Sequence, residues 1–207
     1  MIYIIDCGLG NIHAFINMFA RMGLNAKRAK KAKDLSDAKF LILPGVGHFD
    51  EAIDRLNLSG MRPKLEELVL GAKIPILGIC VGMQILADGS DEGCLPGLGW
   101  VPGRVRAFES QLQCKSLPMP HMGWNDLKPS MQKNIYFSNE FYADAQFYFL
   151  HSYYFDAEDK KNVVATSFYG LDFDAVVTHG NIYGAQFHLE KSHHWGEKFL
   201  KNFLENC

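Results

Sequence analysis

Pro75-Ile76-Leu77-Gly78-Ile79-Cys80-Val81-Gly82-Met83-Gln84 is the stretch that decides the fold. Pro75 to Ile79 is a short apolar run that reads as a fully buried strand. It leads straight into Cys80, and Met83, Ile85 and Leu86 then open a helical pattern. A G-x-C-x-G motif at a strand end, just before a helix, is the cysteine form of a nucleophile elbow. The spacing has a physical reason. The nucleophile occupies a sharp, strained turn, so its flanking residues must be very small. The turn lifts the sulfur above the sheet. A following helix would aim its N-terminus at the sulfur and favour thiolate. The Val81 N–H could face a developing oxyanion. A free cysteine is more often just a small buried apolar side chain. That reading suits Cys7, Cys94, Cys114 and Cys207, and the glycine frame singles out Cys80.

Outward from the elbow, the first half alternates buried strands with helices. Ile2-Tyr3-Ile4-Ile5 and Phe40-Leu41-Ile42-Leu43 read as further buried strands, the second closed by Pro44-Gly45. Gly8-Leu9-Gly10 reads as a tight turn. Asn11 then caps a helix reaching about Met22, with Ile12, Phe15, Ile16 and Phe19 on one face. Weaker helices are predicted from Phe49 to Leu56 and from about Arg62 to Leu70. Continuous apolar strands separated by helices predict an α/β fold with a mainly parallel sheet covered on both faces. The strand-like runs Phe147 to Leu150, Val163 to Phe168, Ala175 to Thr178 and Ile182 to Phe187 lie closer together. They predict β-hairpins packed on that sheet or extending it. Residues 88–103 read as one long loop, and a helix from about His193 to Leu204 closes the chain. No linker or repeat divides it, so residues 1–207 are expected to form one domain.

The chain has 207 residues, a length that suits a single domain of about 100–200 residues. Nothing in its net charge of -2 suggests bulk attraction to nucleic acid or membrane. Asp6 interrupts the apolar opening and no basic segment precedes it, so no secretory leader is expected. No apolar run approaches the ~20 residues of a membrane span. The five cysteines are scattered without a C-x-x-C pair, which fits free thiols in a reducing, cytoplasmic setting.

Two further segments supply candidate partners for Cys80. Gln186-Phe187-His188-Leu189-Glu190 follows the strand-like Ile182 to Ala185. In extended chain, residues two apart share a face, which would put His188 beside Glu190 and turn Phe187 and Leu189 away. A carboxylate beside an imidazole fixes its tautomer and stabilises the imidazolium. His188 could then deprotonate Cys80 and later protonate a leaving amine. Alone, H-x-E is a weak signal; joined to the elbow it becomes a catalytic reading. Pro44-Gly45-Val46-Gly47 closes a buried strand with a Gly-rich turn, the place where open α/β sheets bind ligands.

Taken together, Pro44 to Gly47, Gly78 to Gln84 and Gln186 to Ser192 resemble the class I, triad-type glutamine amidotransferases. More closely, the chain is similar to the glutaminase subunits of imidazole glycerol phosphate synthases. Asp6 to Asn11, Gly97 to Val105, Pro120 to Asn125 and Tyr148 to Tyr154 carry that narrower likeness. The resemblance covers nearly the whole chain. It implies that Cys80, His188 and Glu190 form the triad, and that backbone near Val46, Gly47 and Val81 stabilises the oxyanion. Gln84 and Glu92 would hold the amino acid end of glutamine, with backbone from Ser152 and Tyr153. Met122 and Trp124 would lie near the interface with a (β/α)8 cyclase subunit, in a heterodimer that channels ammonia into imidazole glycerol phosphate and AICAR synthesis. No cofactor and no metal are implied.

Leu189 stands where the family usually carries proline, which predicts a looser turn between His188 and Glu190. With Cys7 and the tail His193-His194-Trp195-Gly196, it leaves open a paralogue feeding ammonia to a sugar amidotransferase of a surface-glycan pathway. Another elbow-cysteine hydrolase and a regulatory subunit without turnover are the remaining alternatives. The basic run Lys27 to Lys33 reads as a solvated strand edge and loop. His193, His194 and Glu197 lack a full metal-ligand set, although His193 and Glu197 would share a helix face. The aromatic residues between Tyr136 and Phe155 read as core and interface.

Overall fold

The computed structural model describes residues 1–130 and 144–207. In chain order the strands are β1 Ile2–Ile5, β2 Ala26–Ala29, β3 Phe40–Gly45, β4 Ile76–Cys80, β5 Gly89–Ser90, β6 Gly103–Ala107, β7 His121–Asp126, β8 Lys128–Pro129, β9 Gln146–His151, β10 Tyr153–Ala157, β11 Val163–Phe168, β12 Asp172–His179 and β13 Ile182–Ala185. The α-helices among the described residues are α1 Ile12–Arg21, α2 Phe49–Leu58, α3 Arg62–Glu66, α4 Val81–Gln84 and α5 His193–Asn206.

Strands β1, β4 and β13 are buried along their whole length, as befits interior strands with both faces covered. The large sheet runs β2-β1-β3-β4-β13-β12-β10-β6-β5, with β11 and β8 joined to it through β12. The pairs from β2 to β13 are parallel, and β12 turns the sheet antiparallel. The predicted α/β sheet with added antiparallel strands is therefore what forms. β13 departs from the expectation of a peripheral hairpin. It does form a hairpin with β12, but its other edge pairs in parallel with β4, and that pairing puts it at the sheet's centre.

Asn11 caps α1 by accepting from the Ala14 N–H at 3.1 Å. The buried face of α1 is Ile12, Phe15, Met18 and Phe19, so Met18 takes the place expected for Ile16. Helix α5 returns to pack beside it: Arg21 pairs with Glu197 at 2.9 Å, and Phe203 meets the rings of Phe40 and Tyr183. The predicted helix from Arg62 to Leu70 changes after Glu66 into a π-turn, Glu67–Gly71. Within residues 88–103 the loop is interrupted by β5 and gives way to β6 at Gly103. The start of the basic run lies in the sheet's edge strand β2, with Lys27 and Arg28 exposed and Arg28 paired to Asp6, and Lys30 to Lys33 follow beyond it. β7 and β9 form a separate two-stranded ribbon. Tyr136, Phe137, Phe141 and Tyr142 of the aromatic segment lie outside the described residues; Phe147 and Phe149 are core and Trp124, beside them on the ribbon, is exposed. No helix of the described residues is long and apolar enough to cross a membrane.

Candidate active site

Cys80 stands at the carboxyl end of β4 with φ 55° and ψ -116°. A non-glycine residue in this region carries backbone strain, and such strain gathers at functional sites. Its surroundings hold it there. A Cβ at Gly82 would strike the Leu43 carbonyl of β3, and one at Gly78 would strike Gly82 itself. The elbow therefore needs glycine because neighbouring backbone presses on it. The helix that follows is a single turn, Val81–Gln84. That corrects the expectation of a helix dipole aimed at the sulfur: one turn supplies a few free N–H groups and little macrodipole.

Strand register brings the predicted segments together. Gly45 lies opposite Cys80, and Ala185 lies opposite Ile79. The chain beyond β3 thus reaches the pocket as Val46 and Gly47, and the chain beyond β13 reaches it as His188 and Glu190. The cavity is about 700 Å³, room for an amino acid amide, and all the predicted triad, oxyanion and substrate residues line it.

His188 Nδ1 lies 2.8 Å from Glu190 Oε1, with both side chains buried. The pairing was expected but its cause differs. Leu189–Lys191 is a 3₁₀ turn rather than extended chain, and the turn folds Glu190 back onto the imidazole. Lys191 N–H and Ser192 N–H close the turn onto the carbonyls of His188 and Leu189. Buried Ser192 donates its hydroxyl to the His188 carbonyl at 2.6 Å and accepts the Tyr148 N–H at 3.0 Å. The His188 N–H binds the Tyr148 carbonyl at 2.9 Å, so strand β9 also pins it. Burial opposes charge on His188, but hydrogen bonds and charge from Cys80 and Glu190 outweigh it and push its pKa up to about 10. The geometry suits a thiolate–imidazolium pair oriented by a carboxylate.

Gln84 and Glu92 line the pocket already committed. Gln84 Nε2 donates to the Tyr153 carbonyl at 3.0 Å and to Gln186 Oε1 at 3.1 Å, and Glu92 Oε2 accepts the Phe49 N–H at 2.8 Å. Each keeps one oxygen for a ligand. Gln186 was not singled out from sequence. It is fully buried, and its amide Nε2 faces Cys80 Sγ at 3.9 Å. Its position two residues before His188 was the only available signal. Met122 and Trp124 project from β7 into solvent, 64% and 45% exposed. His193, expected on a shared face with Glu197, instead stacks on Trp124 (rings 5.4 Å apart, 13° between planes), while Glu197 turns to Arg21.

A family profile described as glutamine amidotransferase class-I matches residues 3–207. The chain is 52% identical over 205 residues to the imidazole glycerol phosphate synthase subunit HisH of Bdellovibrio bacteriovorus, covering 99% of this chain and 100% of that one. It is 45% identical over 203 residues to the protein of the same name from Leptospira borgpetersenii, covering 98% of both. A solved glutamine amidotransferase structure superposes with a TM-score of 0.74 at 19% identity, over 99% of this chain and 97% of that one, a likeness of fold. With profile and relatives both spanning it nearly end to end, this chain belongs to the class-I glutamine amidotransferase family.

Proposed function

We propose that this chain is the glutaminase subunit of an imidazole glycerol phosphate synthase, hydrolysing glutamine to glutamate and passing the ammonia to a (β/α)8 cyclase subunit in histidine biosynthesis. The observation that carries the reading is the convergence of Cys80, His188 and Glu190 on one pocket, in a chain 52% identical from end to end to a protein of that name. Cys80 thiolate attacks the carboxamide carbon, and the carbonyl π electrons move to oxygen. Backbone N–H groups around Val46, Gly47 and Val81 meet that oxyanion. The tetrahedral adduct collapses as His188 gives its proton to the leaving nitrogen, releasing ammonia and leaving a thioester. His188, now neutral, takes a proton from water as the water attacks the thioester. Glutamate leaves, and the thiolate and imidazolium return. Glu190 keeps the imidazole in one tautomer throughout.

The free oxygens of Gln84 and Glu92, with backbone at Ser152 and Tyr153, hold the amino acid end of glutamine. Met122 and Trp124 meet the cyclase in a heterodimer, and a single domain working in the cytoplasm fits the whole reading. Both relatives named above are called imidazole glycerol phosphate synthase subunits, which favours this reading over the sugar amidotransferase and hydrolase alternatives. The test is glutamate release by wild type and Cys80→Ala, each alone and with a cyclase subunit plus its ligand. Partner-stimulated release, reduced by about 10⁴ or more in Cys80→Ala, is expected. A folded wild type that no cyclase stimulates would overturn the synthase assignment.

A further inference from the structure

A chain of hydrogen bonds runs from the outward ribbon to the nucleophile, and neither His121 nor His151 within it is used by the mechanism above. His121 Nδ1 lies 3.0 Å from His151 Nε2, His121 Nε2 lies 3.2 Å from Asn125 Nδ2, and His151 Nδ1 lies 2.8 Å from the Tyr153 carbonyl oxygen. Both rings are buried. Both are pushed down by burial, His121 to about 4 and His151 to about 3, so both are neutral at physiological pH.

The direction of the chain is fixed at both ends by backbone groups. A carbonyl can only accept, so His151 Nδ1 carries its proton towards Tyr153. His151 Nε2 must then accept, so His121 Nδ1 donates and His121 Nε2 accepts from the Asn125 amide. At the far end Asn125 Nδ2 also donates to the Phe168 carbonyl at 2.9 Å, and its Oδ1 accepts the Asp126 N–H at 2.9 Å. The amide therefore presents nitrogen to His121, as the other end demands. Ring packing holds the orientation: His121 is stacked between Tyr169 at 4.1 Å and Phe149 at 4.9 Å. From the Tyr153 carbonyl the chain continues through Gln84 and Gln186 to Cys80. Asn125 and His121 belong to β7, the strand that presents Met122 and Trp124 to solvent.

We propose that His121 and His151 are positioning residues, which hold the Tyr153 side of the glutamine pocket in register with the exposed strand β7. The relay deepens the function proposed above, since it rests on glutamine occupying that pocket and on β7 facing the partner. A purely packing role would be met equally by phenylalanine at either site, because Phe149 and Phe173 neighbour both rings and Phe108 neighbours His151.

The experiment uses the isolated full chain with Cys80→Ala, which removes turnover. Glutamine affinity is measured for this background and with His151→Phe, His121→Phe or His151→Gln added, with urea unfolding as the check on folding. Imidazole ¹⁵N spectra of the wild type report the tautomers. Both histidines are expected as neutral Nδ1–H tautomers. His151→Phe should weaken glutamine about tenfold, the worth of one hydrogen bond at a buried carbonyl. His121→Phe should cost less, because His151 keeps its bond to Tyr153. His151→Gln, which can still donate and accept, should recover part of the loss. A folded His151→Phe chain with unchanged affinity, or an Nε2–H tautomer at either ring, would overturn the relay. Failure of the Cys80→Ala chain to bind glutamine at all would sink the glutaminase reading instead. In that case the tautomer spectrum still upholds or overturns the relay.

Discussion

His188 and the His121–His151 pair are buried to a similar degree, yet the fold holds them in opposite charge states. His188 is 4% exposed, His121 4% and His151 6%. Burial pulls all three towards neutrality. His188 has Glu190 and the Cys80 sulfur to compensate, and its pKa is pushed up to about 10. His121 and His151 have only each other, an amide and a carbonyl, all neutral partners. The lesson is that the partners a buried imidazole meets, more than its depth, decide whether it acts as a charge or as a link. One site is built to move protons, and the other to keep them still.

Removing the carboxylate should break the contrast. Glu190→Gln leaves His188 with a neutral partner, like the other two rings. Glutaminase kcat is expected to fall by about two orders of magnitude or more, the range for a lost general acid–base orientation. The alkaline limb of kcat/KM, expected near pH 10 in the wild type from loss of the His188 proton, should move to lower pH. A pH–rate profile of the stimulated enzyme checks both. An unchanged alkaline limb would assign it to another group.

Ser192→Ala sharpens the comparison by asking what holds His188 in place. The substitution removes the hydroxyl bond to the His188 carbonyl and leaves the Tyr148 N–H without its acceptor. A cost of about 1–3 kcal/mol in urea unfolding is expected, the range for an orphaned buried group. A smaller loss of kcat should accompany it.

The pH dependence of stability should separate the two kinds of site with the smallest effect. His188, raised, contributes stability that is fully present below its unfolded value of 6.5 and is lost as pH rises through about 10. His121 and His151, depressed, contribute stability that is fully present above 6.5 and is lost as pH falls through about 4 and about 3. Wild type should therefore lose stability on acidification from neutral pH with a steeper slope than the His121→Phe, His151→Phe double variant. Urea midpoints taken across that range measure the difference.

Much of this arrangement was legible from residue order. The short apolar runs read as buried strands and form them, and the glycines two residues either side of Cys80 marked the elbow, although at Gly82 it is the β3 backbone at Leu43 that requires glycine. The Asn11 cap and the edge position of the basic run followed from equally local rules. Local rules misjudged other positions. Ile16 and Met18 suit an amphipathic face equally well, and only the approach of α5, with Gly196 against Met18, buries Met18. The His188–Glu190 pair was found for an incomplete reason, since both a pleat and a 3₁₀ turn can bring residues two apart together.

The sequence by itself determined the elements that depend on neighbours in the chain: strand or helix, cap, and the close approach of Gly78 to Gly82 around a strained cysteine. It also singled out Cys80, His188 and Glu190 as candidates, because their chemistry is written in residue type and short spacing. Tertiary structure alone decided that β13 pairs in parallel with β4, which is what carries His188 across to Cys80. It likewise joined His121, Asn125, His151 and Gln186, the first and last of which stand 65 positions apart in the chain (186 − 121). Hydrogen bonds between distant side chains leave no periodic trace in a sequence, because their geometry exists only once the sheet has set its register.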